Sequence, residues 1–304
     1  MDEIKRQASD DFSKARAKEI FSRIKHFLHT GRNRLLSLND VKKILRPTNE
    51  SYAGIRAVPV NLIVGSEGRY RDFNKYFLPK SEHLRSRWER VDEARLSDII
   101  LPPIQLYEIG GVYFVRDGNH RVSVAMMQGV EMVDAEVISL STKIQISPNM
   151  TIDELKAALL AYEKSIFYKK TKFAELTGCG TLDFTMPGRY DVIYEHILVH
   201  KYYLNLPQSK EVPLSDALIS WYNTVYLPIV SIITEENLCS HFPQRTPSDL
   251  YVWIVKHWDE LKKKYGIHYA LSEAVRDFSA RYGQSKGSAF ALIKGMISGI
   301  FDKR

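Results

Sequence analysis

A strand, a turn and a helix joined through Asp117-Gly118-Asn119-His120-Arg121 constrain this chain more than anything else in it. Val112-Tyr-Phe-Val115 reads as a strand, the return arm of a hairpin whose tight turn is Gly110-Gly111. A helix follows from about Asn119 to Gln128, with Gly129 as its C′ cap. Gly118 lets the backbone turn sharply and approach a ligand. The helix start presents unpaired N–H groups and the positive end of a dipole, which favours a bound anion. His120 and Arg121 break the usual rule, because cations in a first turn oppose the dipole. Misfits of this kind are expected at functional sites. A phosphate there would reverse the sign of the effect and accept charge-assisted bonds from Arg121.

The surrounding pattern is β-rich. Val58-Pro-Val-Asn-Leu-Ile-Val64 reads as one strand, Leu101 to Ile109 as another with its prolines confined to the start, and Met132 to Ile138 as a third. Glu82 to Leu96 is charged and reads as helix. A second loop, Gly65-Ser-Glu-Gly68-Arg69-Tyr70-Arg71-Asp72-Phe73, follows the first strand directly. Its glycines, Gly68 among them, permit close backbone approach, and Arg69 and Arg71 suit phosphate oxygens. Glu67, Asp72 and Asp117 are the acidic residues of this basic set. Carboxylates such as Glu67 and Asp117 could hold Mg²⁺ against a phosphate, since that ion takes one or two carboxylates plus substrate oxygens. The plainer reading of the same residues is a common Asp-Gly-Asn turn and an Arg69 or Arg71 pair with Asp72.

Two flanking regions complete the expected organisation: a basic helical region over 1–56, the β-rich domain over 57–145, and a helical, aromatic-rich domain over 150–304. In the first, Ile20, Phe21, Ile24, Phe27 and Leu28 recur at helical spacing, with Gly31 as a stop. Ser37-Leu-Asn-Asp40 reads as a capping box for a second helix that Pro47 ends. Both helices have apolar faces, so they are expected to pack on the domain that follows. In the last region, Thr151-Ile-Asp-Glu154 and Thr246-Pro247-Ser-Asp249 read as helix starts. The fold class expected is α+β: a small mixed-sheet domain with N-terminal helices, followed by a mainly helical domain.

Composition narrows the function classes. The chain has 304 residues, 44% hydrophobic and 26% charged, which is ordinary globular composition with room for two domains. Cys179 and Cys239 form no CxxC pattern, which argues against a disulfide framework or thiolate zinc site and suits a cytoplasmic location. No secretory signal is visible. The longest apolar tract, Gly287 to Phe301, is broken by Lys294 and is too short for a membrane span of about 20 residues. Residues 1–56 carry 13 Lys/Arg against 7 Asp/Glu, most of the net +7. A basic arm suits an anionic partner such as DNA or RNA; with both signs interspersed, the plainer reading is a solvated helix face.

The order Val58 to Ile63, an Arg-containing loop ending in Phe73, Pro102-Pro103-Ile104, then Val115-Arg-Asp-Gly-Asn-His-Arg-Val-Ser-Val-Ala125 resembles the ParB/sulfiredoxin superfamily. Gly118, His120, Arg121 and Ala125 match its Gly-x-[His/Arg]-Arg motif and the alanine in the helix behind it. The resemblance implies a small α/β domain that binds a nucleotide or phosphate. It implies Glu67 and Asp117 as catalytic or metal-holding carboxylates, and Gly68, Arg69, Arg71, Gly118, Asn119, His120 and Arg121 as the phosphate cradle. Asn119 stands where sulfiredoxins have their catalytic cysteine, so their thiol chemistry is not available. Partition-type members carry Gly-Glu-Arg-Arg and a further arginine two residues on, where this chain has Asn119, His120, Arg121 and Ser123. No helix-turn-helix is evident after Ile138. The whole chain also resembles bacterial ParB-like proteins with a tyrosine-rich helical tail.

The functions this supports are nucleotide binding, with Mg²⁺-dependent phosphoryl transfer or NTP hydrolysis as its catalytic form, and, as the alternative, a non-catalytic nucleic-acid-associated regulator. Nuclease action rests on the family name alone. His196 and His200, four apart on one helix face, are expected to be packing histidines before zinc ligands. The series Tyr190, Tyr194, Tyr202, Tyr203, Trp221, Tyr222, Tyr226, Tyr251, Trp253 and Trp258 is expected to be core before base-stacking surface.

Overall fold

The computed structural model describes residues 2–25, 33–179, 182–207, 210–265, 274, 277 and 278. The chain divides into two units, Met1–Leu159 and Leu160–Arg304. The first is an α+β domain around a six-stranded mixed sheet; the second is helical.

In the first unit the chain runs α1 (Asp2–Lys25), β1 (Leu36–Ser37), α2 (Leu38–Leu45), β2 (Glu50–Pro59), β3 (Ile63–Ser66), α3 (Arg85–Leu96), β4 (Ile104–Ile109), β5 (Val112–Asp117), α4 (Asn119–Met127) and β6 (Met132–Leu140). The sheet order is β1-β3-β5-β4-β6-β2. β3 runs parallel to β1 and β5, and β4 parallel to β6, while the β4–β5 hairpin and the β6–β2 pair are antiparallel. Alternation along β4 and β5 sends Ile104, Leu106 and Val115 into a core shared with Phe12, Trp88 and Val122. The Ser37 cap forms as expected, its hydroxyl accepting from the Asp40 N–H.

Three expectations change. The stretch from Val58 to Val64 is not one strand. Pro59 ends β2, a 3₁₀ turn spans Val60–Leu62, and the chain crosses to β3, which lies four places away in the sheet order. β2 already begins at Glu50, so the helical reading does not hold for residues 50–56. β4 starts at Ile104 because Pro102 and Pro103 have no N–H to give to a ladder.

The third change is the packing face of α1. Ile20, Phe21 and Ile24 are exposed, the last two at 70% and 68%. The buried stripe is Ala8, Phe12, Ala15 and Glu19 instead. Small alanines let α1 close on α3, where Phe12 meets Trp88 edge-on at 5.6 Å. Phe27, Leu28 and Gly31 lie outside the described residues.

The second unit contains most of α5 (Ile152–Thr171), followed by α6 (Phe173–Thr177), α7 (Arg189–Asn205), α8 (Leu214–Trp221), α9 (Leu227–Glu235) and α10 (Pro247–Tyr265). A π turn, Tyr222–Tyr226, makes α8 and α9 one continuous helix. Pro228 accounts for it: in an α-helix its ring would meet the carbonyl four residues back, and the wider turn relieves that clash. This helix, Leu214–Glu235, is long and apolar enough to cross a membrane by length and composition, a stretch the sequence reading passes over. Its Trp221, Tyr226, Ile229 and Ile233 are nevertheless part of the unit's core, with Tyr190 and Tyr251. Tyr202 and Tyr203 remain exposed. Both expected capping boxes form, Thr151 with Glu154 and Thr246 with Asp249.

Candidate functional site

Two loops meet because two strands run parallel. β3 and β5 are neighbours, so the loops after Ser66 and after Asp117 leave the sheet at the same edge. The carboxyl ends of parallel strands are where open α/β sheets place ligands. The Glu67 N–H donates to the Val115 carbonyl at 2.9 Å, and Ser66 Oγ donates to the same carbonyl at 3.2 Å. Ser66 Oγ also accepts from the Arg69 N–H, which fixes the start of the loop.

The glycines that shape this edge are Gly65 and Gly118. A Cβ on Gly65 would collide with the Leu36 carbonyl and the Phe114 ring. Gly118, at φ 102°, caps α4, and a Cβ there would lie 2.5 Å from Ile104 Cγ2. Gly68 has open space around it and no positive φ, so its position does not demand glycine.

The side chains of α4's first turn divide into two sets. Arg121 turns toward the start of β4: Nη2 meets Asp117 Oδ2 at 2.5 Å, and Nη1 donates to the Pro102 and Pro103 carbonyls. Arg121 and Asp117 thus satisfy each other, and the guanidinium fastens the strand that two prolines leave without ladder bonds. Asn119 and His120 are buried, 7% and 5% exposed. Asn119 Oδ1 and His120 Nδ1 have no hydrogen-bond partner among the described residues. The His120 ring stands edge-on to Phe73 at 5.4 Å.

Positive charge surrounds His120. Burial, then Arg87, Arg69 and His83, push its pKa down to about 4, with Asp72 opposing. His120 is therefore a neutral imidazole at pH 7. Arg87 and His83 come from α3 and the 3₁₀ turn before it, and neither stands out in the sequence, because a charged helix carries no local mark of what it faces. Arg69 pairs with Asp72 at 3.0 Å, as the plainer reading has it. Arg71 lies over the Tyr70 ring, 5.6 Å from its centroid. Glu67 acts on Tyr107, whose hydroxyl is pushed up by burial first and by Glu67 second. The structure therefore groups Arg69 with His120 and Asp117 with Arg121. Among the described residues no cluster of three His, Cys, Asp or Glu could hold a metal ion.

Ser123, one turn along α4, has a structural role. It is buried, accepts from the Trp88 indole N–H at 2.8 Å and donates to the Phe77 carbonyl at 2.6 Å. That relay ties α3, α4 and the loop after Phe73 together behind His120, and an arginine would not fit there.

No protein-family model and no curated protein matches the chain. Among solved structures, the Pnob8-like ParB-N domain in its C2221 form is similar over 82% of this chain and 99% of that one, at 13% identity and a TM-score of 0.20. A likeness that shallow says nothing about the site, whose chemistry rests on its own residues.

The candidate zinc histidines of the second unit have separate partners. His196 Nδ1 lies 3.2 Å from the Tyr251 hydroxyl and His200 Nε2 lies 2.9 Å from Ser220 Oγ. Burial pushes both down, as it does for packing histidines.

Proposed function

We propose that the first unit is an anion receptor of ParB-like kind that takes the phosphate of a nucleotide or a free phosphate. The observation that carries this is the buried, unpartnered pair Asn119 and His120 at the N-terminus of α4, beside Arg69, Arg87 and His83. The unmet His120 Nδ1, the helix dipole and the Arg69 and Arg87 guanidiniums all become favourable once an anion is present.

Binding has more support here than phosphoryl transfer. Asp117 already shares Oδ2 with Arg121, so Mg²⁺ would have Oδ1 alone from it, and Glu67 would supply a carboxylate from the neighbouring loop. The nucleic-acid reading rests on residues 1–56, where Lys14 pairs with Asp11 and Arg16 with Glu19. The charge that α1 offers a polymer is smaller than its count of basic residues.

The test is a thermal-shift panel of nucleotides and inorganic phosphate, with and without Mg²⁺, on wild type, Arg69→Ala and Arg87→Ala. A ligand at 100 times its Kd should stabilise the first unit by about 2.7 kcal/mol, and each variant should weaken binding about tenfold. If no compound in the panel shifts the wild-type protein, the receptor reading fails.

A further inference from the structure

The geometry points to a site that binds a doubly charged tetrahedral oxyanion together with a proton, His120 changing from a neutral imidazole to the imidazolium that donates to the ligand. This rests on the anion-receptor reading and deepens it.

His120 is held in place by packing on both sides of its helix. Phe73 fixes its ring from the side, and the Trp88–Ser123–Phe77 relay fixes the helix that carries it. Its Nδ1 has no partner among the described residues, and neither has Asn119 Oδ1 beside it. The charged and titratable groups facing the imidazole are Arg87 and His83 from α3 and its leading turn, and Arg69 and Asp72 from the loop after β3. Three are bases and one is an acid. That acid, Asp72, is already shared with Arg69 at 3.0 Å. In the empty protein a proton on His120 would face the Arg87 guanidinium, at a helix end whose dipole is also positive. Burial is the first cause of its neutrality and the neighbouring cations the second, and a bound anion reverses the second.

A dianion placed among Arg69, Arg87 and the α4 N–H groups inverts the local potential. His120 then gains a proton from solvent, and that proton leaves when the ligand does. Asn119, an uncharged neighbour, tolerates either state. A monoanion would compensate less of the field, so the coupling selects for a terminal or free phosphate over a bridging diester.

The experiment is calorimetric titration of the full chain with sodium sulfate, and separately with ATP, in two buffers of different ionisation enthalpy. Sulfate does not itself titrate near neutrality, so any proton taken up with it belongs to the protein. ATP reports the same chemistry on a nucleotide, with His120→Asn as the baseline for ATP's own titration. At pH 6.5 the expected uptake is about half to one proton per ligand, with affinity tightening by up to roughly tenfold per pH unit on acidification. His120→Asn should bind with neither proton uptake nor that pH dependence, and Arg87→Gln should bind more weakly. Should His120→Asn fail to fold, the wild-type uptake with sulfate still decides. Saturable binding of either probe without proton uptake overturns this inference and leaves the receptor standing. Binding of neither probe to folded protein overturns both.

Discussion

The first turn of α10 is closed by a carboxylate of its own, whereas the first turn of α4 contains no acidic residue and is capped by a glycine. Asp249 accepts from the Thr246 N–H at 3.1 Å, the Thr185 N–H at 3.2 Å and the Thr185 hydroxyl at 2.8 Å. At α4 the corresponding positions hold Asn119, His120 and Arg121, and two of those have buried polar atoms with no hydrogen-bond partner among the described residues. Both helix starts are positive dipole ends carrying orphan N–H groups. One is completed by the chain, so it contributes to stability and has no capacity left. The other is incomplete, so it costs stability and retains capacity for an anion.

The contrast can be broken most forcefully at the complete end. Asp249→Ala should cost the second unit roughly 3–5 kcal/mol, because it removes a buried carboxylate that accepts several charge-assisted bonds from Thr246 and Thr185. Chemical denaturation followed by the aromatic signal of that unit checks it; a loss below 1 kcal/mol would show that the two helix ends differ less than their hydrogen bonds suggest.

The incomplete end should reveal itself in acid. His120 has its pKa pushed down in the folded state, so its contribution is fully present above about 6.5, the unfolded value, and is lost as pH falls toward about 4. The loss approaches about 3 kcal/mol, and bound anion should remove most of it. Stability of the first unit measured from pH 7 to 4, with and without sulfate, is the check, and His120→Asn should flatten the profile.

At the hinge of the same end, Gly118→Ala should cost about 2 kcal/mol or more, through strain at φ 102° and the clash with Ile104. Melting temperature reads it, and unchanged stability would mean that the turn relaxes freely.

Asp92 on α3 carries the opposite sign. Burial, and then Asp11, raise its carboxyl to about 6, so folding favours the protonated form. Its contribution is greatest below about 3.8 and is lost as pH rises through about 6. Asp92→Asn should therefore stabilise the first unit at pH 7 by roughly 1–2 kcal/mol while keeping the Gln128 contact, read as a raised melting temperature. Because this window overlaps that of His120, the two single variants are needed to separate the curves. The smallest effect expected is Arg87→Gln, which should move the His120 titration upward by roughly half a pH unit by NMR.

The parts legible in sequence are those specified locally. The Ser37 cap, the capping boxes at Thr151 and Thr246, the Gly110-Gly111 hairpin and the Gly118 turn each depend on residues within four positions, and each forms. β2 was not legible, because residues 50–57 are an exposed edge strand with no apolar alternation to mark it. The packing face of α1 was misread because alanine leaves little hydrophobic signal, although it is the residue that allows close helix contact. Apart from the Arg121 pair with Asp117, the roles of Arg121, Arg87 and His83 depend on partners 18 or more residues away, such as the Pro103 carbonyl. Local pattern shows that a cation is present there, but not which way it turns.

The Trp88–Ser123–Phe77 relay has a spectroscopic consequence. Trp88 is the only tryptophan of the first unit, the other three being Trp221, Trp253 and Trp258. Its indole emission is sensitive to the hydrogen bond it donates to Ser123, and so to the position of the loop that Ser123 holds. With the other three tryptophans replaced by phenylalanine, the protein becomes its own optical probe. A shift in the remaining fluorescence on mixing with a ligand would time the rearrangement around α4 directly, with no label attached.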